Sequence, residues 1–368
     1  VFSQNGFPEI GEVPYLLSLG PHGYYWFVME AEHRYAEPTP LPSLRTTAWK
    51  NLFARTNLKH IENKVLPRYL GESAWFMGRQ RKLQRLEILF TLSLPGTVPP
   101  VSFNIVECSY NEGLPERYQV PLTWIGNPES ETDLNPVDKD ILSRLEIDGM
   151  SGWLADAFYD QSFQEAFLEA LLKNITRDVP EGRLKFRSRE LPSVSQAEQL
   201  IPRVVEDETH HSALEFGQQY YLKLYRRLDD TINPDLEINR YLSQHTNFKY
   251  IPAFRGFLSF EKDKRTELAL AILQDKVHHQ GSAWRYAQDA FIRFLEAVET
   301  RGQEEVLPSL EASIFDPASH EALPEVLGDF MGSSFPERLI QLGEITAELH
   351  QALLGEDTQE AFAPEAFS

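Results

Sequence analysis

The order of strand-like and helix-like segments restricts the fold of this chain more than any other sequence feature. Short runs rich in apolar and aromatic residues are separated by clusters of Pro, Gly and Asn, which is typical of strands joined by turns. Towards the C-terminus, apolar residues recur at three-and-four spacing, which is typical of amphipathic helices. The strand-like runs are 86–94, 101–110, 117–125, 213–225 and 254–275, and the helical stretches are 284–298 and 339–353. This order predicts an α+β fold in which a mixed or antiparallel sheet precedes a helical part.

Other segments predict further elements in the first half of the chain. Two short β-rich runs within residues 14–29 flank the turn cluster at 20–23 and predict a hairpin. Three prolines within residues 36–43 exclude helix and central strand and predict a linker. A helical stretch is predicted from Arg45 to Leu66, and a second helix from Gly152 to Leu172.

Composition excludes two classes of partner. The chain has 55 acidic and 35 basic side chains, so its net charge of -20 repels phosphate backbones and anionic lipid headgroups. We therefore expect neither nucleic acid nor a membrane as a partner, and no apolar run approaches the roughly 20 residues of a spanning helix. Cys108 is the single cysteine and cannot form an internal disulfide, which favours a buried apolar role and a reducing compartment. The expected location is the cytoplasm.

The most informative segment is a strand followed closely by a helix. Residues 220–227 alternate in a strand pattern that carries Lys223. Asn233 suits an N-cap and Pro234 suits the first helical turn, so a helix that carries Glu237 is predicted to begin there. A strand lysine held by a glutamate of the next helix is the arrangement by which kinases place an ammonium against ATP phosphates. The alternative, an exposed lysine in an ordinary surface ion pair, stays open.

Polar segments lie on both sides of this strand and helix. Residues 208–213, with Ser212 as a candidate nucleotide contact, precede the strand where a phosphate-covering loop would lie, although their glycine content is too low for a phosphate fingerprint. Downstream, a buried-type strand at 268–275 contains Gln274 and runs into the polar segment 278–281, a predicted hinge on whose backbone adenine would dock. Both segments contain adjacent histidines, but such imidazoles point apart and no third ligand has a recognisable spacing, so we assign no metal site.

A set of short motifs carries a family resemblance. The motifs are Leu66-Pro67-Arg68, Trp75-Phe76-Met77-Gly78-Arg79, Tyr221 to Arg227, Asn233 to Glu237, Leu273-Gln274-Asp275, Trp284-Arg285-Tyr286, Leu342-Gly343-Glu344 and Ala347 to His350. Together they resemble bacterial maltokinases over residues 45–368. The stretch from Phe7 to Phe27 is similar to the C-terminal strands of trehalose synthases, and a fusion of the two enzymes joins these parts in this order.

The resemblance implies a truncated fold of the aminoglycoside-phosphotransferase and protein-kinase type. Its parts are the synthase hairpin (1–33), a Pro-rich linker (34–44), an N-terminal cap (45–150), a kinase-like N-lobe (151–282) and the first helices of a helical C-lobe (283–368). The implied activity is transfer of the γ-phosphate of ATP to the anomeric hydroxyl of maltose, giving maltose 1-phosphate. The implied partners are ATP with Mg²⁺, maltose, and a trehalose synthase domain in the same chain, and a homo-oligomer is compatible with the sequence.

The same resemblance implies roles for four residues. Lys223 would contact the ATP phosphates, Glu237 would orient Lys223, Ser212 would lie in the phosphate-covering turn, and Gln274 would border adenine. The family's turn resembles Glu-Gln-Ser-Asn-Thr-Ser, whereas residues 208–213 read Glu-Thr-His-His-Ser-Ala and follow two further acidic residues. Extra negative charge beside a triphosphate is unfavourable unless Mg²⁺ offsets it.

Two motifs of the family are missing from this chain. No histidine is followed by Gly-Asp, so the catalytic loop of type His-Gly-Asp-x-His is absent, and the Asp-Phe-Met-Gly at 329–332 precedes the last predicted helix whereas the family's metal-binding carboxylate follows it. We read residues 329–332 as a turn at the start of that helix, assign no catalytic or metal-binding residue, and expect the Mg²⁺ ligands in the absent part of the C-lobe. Because the chain starts at Val1 and stops at Ser368 within an acidic, Ala-rich stretch, we expect a piece of a larger protein that is inactive alone. A structural or interaction module and another small-molecule phosphotransferase stay open as alternatives.

Overall fold

The structure is a computed structural model. It describes residues 41–94, 97–126, 140–192, 200–205, 211–229, 231–262, 267–301, 325–332, 334–354 and 360–363. The chain divides into two units after residue 42, and all described residues except 41 and 42 belong to the second unit. The hairpin predicted at 14–29, most of the linker predicted at 34–44, and residues 208–210 of the predicted phosphate-covering turn lie outside the described residues.

The strands of the described part lie at Ser43–Thr46 (β1), Leu83–Leu94 (β2), Val101–Tyr110 (β3), Glu116–Gly126 (β4), Ile141–Ile147 (β5), Met150–Asp156 (β6), Thr176–Val179 (β7), Gly182–Ser188 (β8), Pro202–Val205 (β9), Ser212–Phe216 (β10), Tyr220–Leu224 (β11), Arg227–Leu228 (β12), Phe254–Glu261 (β13) and Glu267–Asp275 (β14). Within the described ranges they form two seven-stranded sheets. The cap sheet has the order β1-β5-β6-β4-β3-β2, with β12 also paired to β4, and its β1–β5 pair is parallel. The lobe sheet has the order β7-β8-β13-β14-β11-β10-β9, and its pairs are antiparallel. The predicted α+β class with mixed and antiparallel sheets is therefore confirmed.

The described helices lie at Arg55–His60 (α1), Leu66–Glu72 (α2), Gln161–Leu172 (α3), Pro234–His245 (α4), Ala283–Arg301 (α5), Glu325–Met331 (α6) and Ser334–Leu353 (α7). A π-helical turn at Ile61–Val65 joins α1 to α2, and 3-10 turns lie at Trp49–Asn51, Met77–Gln80, Ala157–Tyr159 and Glu360–Phe362. None of the helices in the described part is long and apolar enough to cross a membrane.

Strand β3 is buried along nearly its whole length because the cap sheet is covered on both faces. Side chains alternate between the two faces of a strand. Phe103 and Ile105 therefore lie in one buried cluster, and Val106 and Cys108 lie in another on the opposite face. Phe103 packs against Phe163 of α3, with ring centroids 5.9 Å apart, in a core shared with the lobe sheet. Val106 and Cys108 belong instead to the core that the cap sheet forms with α1 and α2. The cap sheet is therefore the middle layer of this region.

The lobe sheet is also covered on two faces. On the face that we name the cap face, Phe186 of β8 contacts Phe167 of α3, with ring centroids 5.3 Å apart. On the other face, the α4 face, the Arg240 guanidinium of α4 lies 5.7 Å from the Phe257 ring of β13. Leu236 of α4 packs against the same sheet. Each face of the lobe sheet thus has a different neighbour.

Two predicted helices are corrected by the structure. Residues 150–156 form β6, in which Trp153 pairs with both β4 and β5, and α3 begins only at Gln161, where the Asp160 carboxylate caps the N–H of Phe163. The prediction of one helix from Gly152 to Leu172 was wrong over its first half, because a strand buried on both faces lacks the alternation that distinguishes it from a helix. The predicted cap boundary after residue 150 accordingly falls at the first residue of a cap strand.

The helical stretch predicted from Arg45 to Leu66 is interrupted in the structure. Residues 43–46 form β1, and α1 begins only at Arg55 after a 3-10 turn. The pairing of β1 with β5, for example Ser43 with Arg144, is a long-range contact that local periodicity cannot report.

The two C-terminal helices agree with their predicted spacing. Helices α5 and α7 contain the stretches predicted at 284–298 and 339–353. Residues 329–331 form the end of α6 rather than the start of a helix, and Gly332 follows with a φ of 70° and an N–H bonded to Gly328 O. A left-handed glycine is a common way to end a helix, so residues 329–332 form the C-terminal end of α6.

Candidate functional site

Strand register places Lys223 and Gln274 on the same face of the lobe sheet. Directly paired residues in an antiparallel sheet project to the same side, and successive residues alternate. Lys223 of β11 pairs with Ile272 of β14, and Tyr221 pairs with Gln274. Ile272 in turn pairs with Phe257, which lies beneath α4. Two of the four predicted site residues therefore lie on the α4 face.

The ammonium of Lys223 is held by the first turn of α4. Lys223 Nζ lies 3.2 Å from Asp235 Oδ2, and the Tyr225 hydroxyl donates to the same oxygen over 3.1 Å. Burial and the Asp235 charge raise the pKa of Tyr225 far above its ordinary value, so this hydroxyl stays protonated and acts as the donor. Lys223 is 26% exposed, and its charge is thus oriented while its ammonium still reaches solvent.

The start of α4 follows the sequence prediction closely. Asn233 is the N-cap, and its side-chain oxygen accepts the N–H of Leu236 over 3.1 Å. Pro234 occupies the first helical position, where its missing N–H costs no hydrogen bond. Asp235 follows in the first turn, where a negative charge is favoured by the helix dipole. The N-cap of α4 therefore fixes where the Asp235 carboxylate meets Lys223.

Glu237 lies on a different side of α4 from Asp235. Two residues turn the helix by about 200°, and Glu237 lines a groove of about 340 Å³ between α4 and the lobe sheet, together with Ser259 and Glu267. Phe362 closes part of this groove by stacking on Tyr241, with ring centroids 3.7 Å apart. Within the described part of the chain, the ion pair of Lys223 is made with Asp235. The proposed orientation of Lys223 by Glu237 stays a prediction.

Gln274 lies near the end of β14, where the chain leaves the lobe sheet. Its side chain is only 3% exposed. The carboxylate of the next residue, Asp275, accepts two hydrogen bonds of 2.6 and 2.7 Å from the Arg255 guanidinium of β13. The predicted hinge, residues 278–281, lies in the irregular segment 276–282 that follows this fixed point. A fixed strand end beside an irregular backbone segment fits the expected adenine edge, and contact between Gln274 and adenine stays a prediction.

Ser212 projects from the opposite face to Lys223. It pairs with Leu224, whose side chain belongs to the core on the cap face. The Ser212 hydroxyl accepts a hydrogen bond of 2.7 Å from Arg226 Nε, and it also bonds with the Tyr159 hydroxyl. The structure therefore directs this side chain to the cap, and its predicted place near phosphate stays a prediction.

The arrangement on the α4 face suits an anion. A lysine ammonium and the N-terminus of a 12-residue helix both favour negative charge, and Asp235 holds the two together. In the described residues, no three side chains of His, Cys, Asp or Glu are grouped to hold a metal ion. Asp235, the carboxylate beside Lys223, is already engaged by Lys223 and Tyr225. The site presents a positive charge and a helix N-terminus to an anion, but no chemical step can be assigned to a residue in it.

Sequence reasoning missed two residues of this region. Asp235 was not identified as the lysine partner, although its position in the first turn after the N-cap is the signal that could have identified it. Arg226 gave no signal, because arginine is almost never fully buried unless it is paired and its partners come from distant segments.

Comparisons with known proteins add two findings. Residues 69–160 match the family model of the maltokinase N-terminal cap domain. Among solved structures, the chain is similar to a glucosamine kinase with 16% sequence identity and a TM-score of 0.38, over 75% of this chain and 47% of that chain. The chain thus spans about half the length of that protein. The family match begins in α2 and ends directly after the 3-10 turn that follows β6.

Proposed function

We propose that this chain is the ATP-binding part of a small-molecule kinase that phosphorylates a sugar hydroxyl, with maltose as the acceptor and maltose 1-phosphate as the product. The single observation that carries the proposal is the ion pair of 3.2 Å between Lys223 on a central strand and Asp235 at the start of α4. An ammonium fixed between a sheet and a helix is how kinases hold the phosphates of ATP.

The cap supports the choice among kinases. The segment that matches the maltokinase cap domain forms β2 to β6, and its core continues into the lobe sheet through α3. A cap of this family beside a lysine-bearing antiparallel sheet favours a maltokinase over another phosphotransferase. The maltose acceptor, the synthase domain in the same protein and the cytoplasmic location are parts of the proposal.

The proposed place of ATP follows from the sheet. Its phosphates would lie on the α4 face at Lys223, and adenine would lie at the end of β14 beside the backbone of residues 274–276. The described residues offer no donor set for Mg²⁺, so we derive no step through the metal. The phosphoryl transfer itself would need a base and metal ligands from a further helical part.

Exposed apolar side chains support such a further part. Trp284 and Phe291 of α5 are 73% and 59% exposed, and Leu339 and Leu342 of α7 are also exposed. Large apolar groups exposed together on helices are typical of surfaces that other protein covers. We propose that more helices of a C-lobe pack on these faces.

The test is the stability of the chain in the presence of Mg-ATP. A ligand that binds only the folded state raises the melting temperature, and about 2.7 kcal/mol is expected at a hundredfold excess over Kd. Lys223→Met keeps the aliphatic stem and removes the charge, so we expect roughly tenfold to hundredfold weaker binding. A wild-type chain that shows no shift with Mg-ATP would overturn the proposal.

Lys185→Met is the matched control for this experiment. Lys185 is also a strand lysine of the lobe sheet, is 24% exposed and forms an ion pair of 2.9 Å with Glu261. It lies on β8, which β13 and β14 separate from β11. The control should therefore reproduce the loss of an ion pair without the loss of nucleotide binding, and equal effects of both variants would contradict the assignment of Lys223.

A second candidate function, an interaction module, rests on the exposed face of α5. If Mg-ATP has no effect on the wild-type chain while Trp284→Ala and Phe291→Ala abolish association with a protein partner, the interaction reading is favoured. The two functions predict that substitutions act at different surfaces. Nucleotide binding depends on Lys223 of the lobe sheet, whereas partner association depends on Trp284 of the separate helix α5.

A further inference from the structure

A buried ion pair joins the cap sheet to the segment that carries Lys223. Arg226 Nη1 lies 2.8 Å from Asp156 Oδ2, and both side chains are fully buried. The Tyr69 hydroxyl donates to the same Asp156 oxygen, and the backbone N–H of Phe158 donates to the other oxygen over 3.0 Å. The cap therefore fixes the carboxylate from two further directions.

Arg226 lies where the chain passes from one sheet to the other. Strand β11 belongs to the lobe sheet and β12 to the cap sheet, and Arg226 lies between them. Its carbonyl accepts the N–H of Gln119 of β4 over 2.8 Å. The Gln119 side chain donates to the carbonyls of Tyr225 and Leu270, both over 2.6 Å. Backbone and side chain thus both anchor this crossing to the cap.

Aromatic rings and a hydroxyl complete the surroundings of the Arg226 guanidinium. Its carbon lies 4.5 Å from the centre of the Trp75 ring and 5.3 Å from that of the Phe158 ring. Its Nε donates over 2.7 Å to the hydroxyl of Ser212, which is the first residue of β10. The cap residues of this cluster, Tyr69, Trp75, Asp156 and Phe158, all lie within the segment that matches the maltokinase cap domain.

The cluster is adjacent to Lys223 in the sheet. Ser212 pairs with Leu224, and the next pair along the same two strands is Ala213 with Lys223. Arg226 therefore ties the first residue of β10 to the end of β11, one residue pair from the lysine. The backbone of Lys223 is fixed from the cap face, while its ammonium is fixed from the α4 face by Asp235.

We infer that Arg226 is a positioning residue through which the cap domain sets the place of Lys223 for phosphate binding. The inference rests on the proposed function and adds to it a role for the cap in nucleotide binding. Replacing a buried ion pair with apolar residues often leaves stability unchanged or improved. Stability alone therefore does not account for this pair, whereas the fixed geometry of a guanidinium fork suits the alignment of two strands.

The test compares the affinities of Mg-ATP and adenosine, measured by calorimetry, in cap and lobe variants of the whole chain. Tyr69→Phe removes only the hydroxyl that holds Asp156, and Ser212→Ala removes the acceptor of Arg226 together with its bond to the Tyr159 hydroxyl. The loss of one hydrogen bond should weaken Mg-ATP binding by roughly threefold to tenfold in each variant. Adenosine affinity should not change, because adenosine has no phosphate to reach Lys223.

Tyr69→Phe is the decisive variant, since Tyr69 lies in the cap and is nearly isosteric with phenylalanine. Asp156→Asn is a stronger cap variant, and Tyr69→Phe carries the test should the asparagine variant fail to fold. In the Tyr69→Phe, Ser212→Ala double variant the losses should be less than additive, because both changes act through Arg226.

Ser102→Ala is the matched control. Ser102 is a buried cap serine whose hydroxyl likewise accepts a side-chain N–H, from Trp49 over 2.9 Å. It should lower thermal stability without changing the ratio of the two affinities. This separates positioning from a general loss of structure.

Three results would overturn the inference. The first is an unchanged ratio of ATP to adenosine affinity in both Tyr69→Phe and Ser212→Ala. The second is an effect of Ser212→Ala alone, which would mean that Ser212 contacts phosphate directly. The third is a ratio that changes equally in Ser102→Ala. A wild-type chain that binds neither compound would overturn the proposed function itself, which distinguishes the two failures.

Discussion

Cys108 shows how burial controls the chemistry of a single residue. The thiol is fully buried in the core between the cap sheet and α1–α2. Burial, followed by the charges of Glu116 and Glu107, raises the pKa of Cys108 to about 12. Because the thiolate is the reactive form, we expect no reaction with a thiol reagent such as Ellman's reagent at pH 8 in the native protein, and one equivalent in denaturant. Rapid labelling of the native chain would contradict this placement of the thiol.

Glu116 gives a prediction for the dependence of stability on pH. Although burial raises its pKa, hydrogen bonds from the Tyr118 and Tyr110 hydroxyls and the charges of Arg227 and Arg81 outweigh burial, so the pKa of Glu116 is lowered. A carboxyl with a lowered pKa stabilises the fold above its unfolded pKa, and this contribution is lost as pH falls through the lower folded value.

We therefore expect Glu116→Gln to lower the free energy of unfolding at pH 7 by about 1–3 kcal/mol. The difference from wild type should shrink below the ordinary carboxyl pKa of 4.5, as measured by urea titrations at several pH values. Glu112→Gln, at an exposed position in the adjacent turn, is the control and should show no such pH-dependent difference. A constant difference from pH 7 to pH 3 would show that the charge of Glu116 is not the cause.

At this scale, local signals were predictable and distant pairs were not. Asn233 and Pro234 could be recognised because capping depends on neighbours in sequence. The partners of Arg226 include Asp156 and Trp75, which are distant in sequence. No spacing rule connects Arg226 with either residue. The sequence therefore predicted the start of α4 but not the ion pair that links the cap to β11.

Helix α4 is the element whose stability matters most for the candidate site. Asn233→Ala removes the N-cap acceptor of Leu236 N–H, which costs about 1 kcal/mol. Because Asp235 is in the first turn, fraying there should also loosen its contact with Lys223. We expect a lower urea midpoint and faster amide exchange confined to the start of α4.

Asn233→Asp is the control for this prediction, since aspartate caps as well as asparagine. It should restore the midpoint and the amide protection. Equal loss in both variants would mean that another property of Asn233 holds the helix start.

Elements were predictable where one face of a segment is distinct from the other. Helices α5 and α7 keep many exposed positions, so their period remains visible in the sequence. Strand β6 is buried from Gly152 to Asp156 with a single half-buried residue at Trp153, so its pattern merged with that of α3. The loss of contrast, rather than a weak propensity, explains that error.

For the whole molecule, the main finding is that the cap and the lobe sheet share a core. Phe90 of β2 contacts Phe260 of β13, with ring centroids 5.2 Å apart, and Phe103 of β3 contacts Phe163 of α3. These rings belong to one continuous cluster of buried residues. The cap has a second core with α1 and α2, but along this surface the two parts predicted as separate domains share one core, whereas domains that fold separately do not share theirs.

We expect the cap and the lobe sheet to unfold as one cooperative unit. Phe260→Ala, which removes a fully buried ring from the lobe sheet, should cost about 3–5 kcal/mol. If the core is shared, the most protected amides of β3 in the cap should lose the same free energy of exchange as those of β14 in the lobe sheet. Hydrogen exchange followed by mass spectrometry in low urea measures both strands in one sample. Phe291→Ala, at an exposed site on α5, is the control and should change neither strand. Loss of protection in β14 with β3 unchanged would show that the cap folds alone, and the coupling inferred through Arg226 would then need a pathway other than a common core.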